Sequence, residues 1–97
     1  MFDRLNVKTG NIKLNDCCFD VDDDLCDILD NLKEDLLQIE FSDGCFIDVG
    51  WYPEFNIEGS FQVLLIEKCH WDNPKEQYQT RDLKELEKIV NLLIEKI

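Results

Sequence analysis

Ninety-seven residues, 44% of them apolar and 33% charged, describe one folded domain and exclude a chain disordered throughout. The formal charge of −12 sets the surface against nucleic acid and anionic membranes and suits it to basic partners. The N-terminal MFDRLNVKTGNIKLND has no apolar signal core and the longest apolar run is Val63 to Ile66, so the sequence reads as a cytoplasmic protein without a membrane span.

The first element is a short hairpin or irregular arm over Leu5 to Asp16, turning at Thr9-Gly10-Asn11. Next, DVDDDLCDILDNLKED, Asp20 to Asp35, predicts a helix. Val21, Leu25, Ile28, Leu29 and Leu32 follow the 3.6-residue period, while Asp20, Asp22, Asp23 and Asp24 crowd the positive end of the helix dipole. Asp23, Asp27, Asp30 and Glu34 then fall on its solvent side.

Two alternating segments follow. Leu36 to Phe41 sets Leu37, Ile39 and Phe41 on one face, and Ser42-Asp43-Gly44 supplies a hairpin turn. Cys45 to Tyr52 places Cys45, Ile47, Val49 and Trp51 on one face and Phe46, Asp48, Gly50 and Tyr52 on the other. The stretch GWYPEFNIEGSF, Gly50 to Phe61, reads as the corner of a hairpin. Pro53 ends the pairing, Gly59 is available for a positive φ, and Phe55 and Phe61 pack across the connection. Phe61 to Lys68 is a central strand, Lys75 to Gln79 a short edge strand, and Thr80 caps a final helix with Leu83, Leu86, Val90, Leu93 and Ile97 on its apolar stripe. The expected architecture is α+β: an antiparallel three- to four-stranded meander with an N-terminal and a C-terminal helix packed on one face, forming a single domain over residues 1–97.

The charge is unevenly placed. Residues 16–48 hold twelve carboxylates against Lys33 alone, a net of −11. Asp20 to Asp24 resembles the start of a calcium loop, but Leu25 stands where the sharp turn requires glycine and Asn31 where a bidentate glutamate is required. The five cysteines are odd in number and irregular in spacing, which suits thiols rather than a disulfide framework. Adjacent Cys69 and His70 point to opposite sides of a strand and make neither a zinc site nor a nucleophile pair. The four glycines form no phosphate loop. No metal, cofactor or catalytic set is expected, and an enzyme is not. Large aromatics serve both cores and interfaces; alternation assigns Trp51 to the core and leaves Tyr52 as a contact candidate.

A strand ending in Gly50-Trp51-Tyr52-Pro53, a turn closing with Gly59-Ser60-Phe61, a strand, then Trp71-Asp72-Asn73-Pro74 and a C-terminal helix resemble the small bacterial immunity proteins of contact-dependent growth inhibition and related polymorphic toxin systems. The resemblance covers about Asp43 to Ile97. It implies an acidic, cytoplasmic, non-enzymatic inhibitor that binds and neutralises a cognate toxin C-terminal domain with a basic surface, often a nuclease. Because such proteins diversify on the toxin-facing side, the shared residues read as scaffold, and the resemblance carries no binding role over to Trp51, Tyr52, Pro53 or Trp71. The candidate contacts come instead from charge and alternation: Asp20, Asp22, Asp23, Asp27, Asp30, Asp43, Asp48 and Tyr52. The alternative reading is an acidic, nucleic-acid-mimicking inhibitor of another basic protein.

Overall fold

The computed structural model describes residues 1–2, 5–68 and 71–97; Cys69 and His70 lie outside them. Strands β1 (Asn11–Asn15), β2 (Leu37–Glu40), β3 (Phe46–Tyr52), β4 (Ser60–Ile66) and β5 (Glu76–Thr80) precede helix α1 (Leu83–Lys96). They form one antiparallel sheet in the order β1-β2-β3-β4-β5. Alternation places Leu37, Ile39, Ile47, Val49, Trp51, Phe61, Val63 and Leu65 on one face, all buried. Helix α1 lies against that face at β4 and β5, burying Leu83, Leu86, Val90, Leu93 and Ile94. Its N-cap is Asp82, whose carboxylate accepts the Lys84 N–H at 3.0 Å. Thr80, expected in that role, is the last residue of β5 and accepts the Asp82 N–H through its hydroxyl at 3.1 Å.

The expected N-terminal helix is absent, and the expected three to four strands are five. Over residues 20–35 the chain makes successive turns and a single 3-10 turn at Leu29–Asn31. Charge explains this. A helix would stack Asp20 with Asp23 and Asp24, Asp24 and Asp23 with Asp27, and Asp27 with Asp30, each like-charge pair costing about 0.2–0.5 kcal/mol. Aspartate is in addition a weak helix former, because its side chain competes for nearby backbone N–H groups. Here the Asp23 carboxylate accepts the Asp20 N–H at 2.7 Å. The irregular path still buries Phe19, Ile28 and Leu32, with Val21, Leu25 and Leu29 packed beside them. Each fully buried side chain is worth about 1.5–3 kcal/mol, more than the separate turns lose against a helix. Phe19 reaches Phe61 with ring centroids 6.1 Å apart, so this segment covers the same face of the sheet as α1.

The N-terminal arm does not fold back on itself. Residues 8–9 turn the chain into β1, which pairs with β2 from Asn11↔Glu40 to Asn15↔Leu37, with a bulge between Ile12 and Leu14. At the other end of β2, Lys33 to Leu36 runs on beside β3. The Leu36 N–H donates to the Val49 carbonyl at 3.0 Å and the Trp51 N–H to the Lys33 carbonyl at 2.7 Å.

Candidate protein-docking surfaces

The hairpin corner after β3 is scaffold. Trp51 is fully buried, meets Phe61 edge-on at 4.8 Å and donates its indole N–H to the Asn56 carbonyl at 2.8 Å. The Arg81 guanidinium sits 5.6 Å from its ring centroid and donates to the Gly59 carbonyl. The Tyr52–Pro53 peptide bond is cis. Positive φ in this corner falls on Phe55 (59°), not on Gly59. Gly59 is required by close approach instead: a Cβ there would stand 2.6 Å from the Tyr52 carbonyl oxygen and 2.7 Å from the Trp51 indole nitrogen. Phe55 is 49% exposed and does not pack across the connection with Phe61.

The candidate contacts divide into three groups. Asp20, Asp22, Asp23, Asp27 and Asp30 are exposed on the irregular segment over the helix-bearing face. Its turns are pinned by backbone bonds from Asp23 N–H to the Asp20 carbonyl (3.0 Å), Asp27 to Asp24 (2.9 Å) and Asn31 to Ile28 (2.8 Å). Lys33, the one base between residues 16 and 48, stands 3.6 Å from Asp16 and leaves these five aspartates to solvent.

Asp43 is apart from the others, in the β2–β3 turn. Its carboxylate accepts the Cys45 N–H at 3.1 Å and shapes the turn that Gly44 completes at φ 87°. Beside it, burial, a bond to Asp43 and the Asp43 charge push the Cys45 thiol up from its ordinary value.

Asp48 and Tyr52 share the face of the sheet opposite α1, as alternation requires. Asp48 is half-buried between Gln38 and Leu64, its partners on β2 and β4. Burial and then the nearby Asp35 charge push its carboxyl up to about 6, against a hydrogen bond from Gln38 that favours the charged form. The Tyr52 hydroxyl donates to the Glu34 carbonyl at 3.3 Å. Its ionisation is shifted upward by burial, then by Asp48, Glu34 and Asp35. Glu34 and Asp35 thus belong with Asp48 and Tyr52, although the sequence reading names neither as a contact. A mid-strand glycine at 50, which marks a close backbone approach, was the available signal.

A Glu76–Tyr78–Lys96 cluster ties the end of α1 to β5. Lys96 lies 2.8 Å from the Glu76 carboxylate, which also accepts the Tyr78 hydroxyl. Those two bonds hold the Glu76 carboxyl below its ordinary range. This cluster latches the end of α1 to the sheet, and its Tyr78 and Lys96 line a small surface cavity with Ile89, Leu92 and Leu93. Among the described residues no three His, Cys, Asp or Glu side chains converge where a metal ion would sit, and no helix is long and apolar enough to cross a membrane. Comparison with protein-family models, curated proteins and solved structures finds no match.

Proposed function

We propose that this chain is an immunity-type inhibitor: it binds and neutralises a cognate toxin domain in the cytoplasm and performs no chemistry of its own. The observation that carries this reading is the segment from Asp20 to Asp30, a long connection held by turns and buried apolar side chains that exposes aspartates with no ion-paired base among the described residues. Connections of this length without regular structure commonly serve recognition. A nuclease toxin holds phosphates with lysine and arginine, and a row of exposed carboxylates is the complement of such a surface. The resemblance of the region from about Asp43 to Ile97 to immunity proteins supports the same reading, with the Trp51 corner as scaffold.

The test is co-expression with any toxin domain that the neighbouring genes are found to encode. Growth rescue and a stoichiometric complex are expected, with an association rate that falls steeply between low and physiological salt. Reversing Asp23, Asp27 and Asp30 to lysine slows association about tenfold or more. Unchanged association by that variant would remove the acidic segment from the mechanism. Binding to a different basic, nucleic-acid-handling protein, with no effect on the toxin, would favour the nucleic-acid-mimic reading.

A further inference from the structure

The face of the sheet turned away from α1 carries no helix among the described residues and is chemically unusual: Ile66 and Gly50 are buried on it, and most of its other positions are partly exposed. Its twelve positions on β2–β5 hold no lysine or arginine and only two carboxylates, Glu40 and Asp48. Four are glutamines: Gln38, Gln62, Gln77 and Gln79. In a chain with 33% charged residues, a water-facing sheet would be expected to draw on that charge. Instead, half-exposed Leu64 sits in mid-face, paired with Asp48 on one side and Gln77 on the other. At one end Phe46 packs on Trp71 with centroids 5.2 Å apart, and Trp71 remains 42% exposed. Loss of charge together with exposed aromatics is the composition of the centre of a protein interface.

The charge that does remain selects the occupant. Asp48 is half-buried, with Asp35 acting on it and Glu34 on the neighbouring Tyr52, and no base among the described residues acts on it. A second copy of this chain seated by the same face would bring no lysine or arginine to Asp48, leaving its carboxylate enclosed without a counter-charge. A guanidinium suits the site better than an ammonium: its planar fork reaches a carboxylate and a neighbouring glutamine together, and it is more weakly hydrated. We propose that the partly exposed centre of this sheet face, around Asp48 and Leu64, is where a basic protein partner seats, with Asp48 receiving an arginine of that partner. The inference rests on the inhibitor reading and divides its labour: the acidic segment speeds encounter, and the sheet face holds the complex.

The test measures association and dissociation rates separately, using the purified chain and an inactive form of that toxin domain. Leu64→Arg is expected to raise the dissociation rate about a hundredfold, and Asp48→Asn about tenfold, each with little change in association. The triple reversal of Asp23, Asp27 and Asp30 is expected to do the opposite. Should Leu64→Arg fail to fold by circular dichroism, Asp48→Asn and Gln62→Lys decide the question. If wild type binds tightly and the folded face variants leave dissociation unchanged, the inference is overturned and the inhibitor reading stands. If wild type does not bind the toxin, both fall. A wild-type dimer in sedimentation that Leu64→Arg dissolves would also overturn the inference, because the face would then belong to a second copy.

Discussion

The carbonyl oxygen of Glu34 occupies the place where a side chain at residue 50 would begin: a Cβ built on Gly50 stands 1.9 Å from it. This contact lets the segment leaving the acidic region run flat against β3, and it gives the Tyr52 hydroxyl its acceptor. Neither strand can retreat cheaply, since Lys33 and Leu36 are bonded to β3 on both sides of the contact. Gly50→Ala is therefore expected to destabilise by about 3 kcal/mol or more, at the upper end of overpacking costs. Urea denaturation followed by circular dichroism measures it. A loss below 1 kcal/mol, about the value of an ordinary strand substitution, would mean that the Glu34 segment is not held in place.

Asp48 makes stability depend on pH in an unusual direction. Its carboxyl titrates at about 6 in the fold against an ordinary 3.8, so between those values the native state binds more protons than the unfolded chain. Stability from this group is thus fully present below pH 3.8 and is lost as pH rises through 6. The full shift, at 1.36 kcal/mol per unit, is reduced by partial exposure to about 1–2 kcal/mol. Asp48→Asn is expected to be more stable than wild type at pH 7.5 by that amount, with the difference shrinking on acidification toward pH 4. Melting curves across this range check it, and a variant less stable than wild type at pH 7.5 would contradict the assignment.

Arg81 closes the corner that Trp51 anchors. It covers the indole face and holds the Gly59 carbonyl, so one side chain fixes both ends of the β3–β4 connection to the start of α1. Arg81→Ala is expected to cost about 1 kcal/mol, and Arg81→Lys to recover little of it, because an ammonium lacks the planar fork. The near-UV circular dichroism of the buried tryptophan reports the change, and full recovery in the lysine variant would show that charge alone matters at this position.

The two faces of β3 were legible in the sequence because a period of two leaves no choice once Ile47, Val49 and Trp51 are inside. Asp48, Gly50 and Tyr52 then had to share the other face, and they do. Helix α1 was legible for a similar reason: Leu83, Leu86, Val90 and Leu93 recur at helical spacing, although the cap is Asp82 and not the expected Thr80. In the acidic segment the apolar stripe marked the right side chains and the wrong backbone. Val21, Leu25, Ile28, Leu29 and Leu32 do face the core, but burial can be met by turns as well as by a helix, and aspartate repulsion favours the turns. Strand β1 was hidden because its partner, β2, is far along the chain, and local pattern does not report distant pairing. For the same reason Asp35 was not connected to Asp48, nor Asp43 separated from it.

The absence of the N-terminal helix is itself open to measurement. Helix α1 contributes fourteen of the chain's 97 residues, and a helix over residues 20–35 would roughly double that content. Far-UV circular dichroism is expected to show the smaller value, with the sheet dominating. Amide exchange separates the two states further. The α1 amides sit in a continuous ladder over a buried stripe, whereas those of Asp20 to Asp30 rely on isolated turn bonds facing water. Local opening of such turns takes little free energy, so the α1 amides are expected to be protected at least about a hundredfold more than those of the acidic segment. Equal protection would mean that the aspartates stand on a helix after all. The row of carboxylates would then be displayed at helical spacing, and the partner surface it fits would have to be redrawn accordingly.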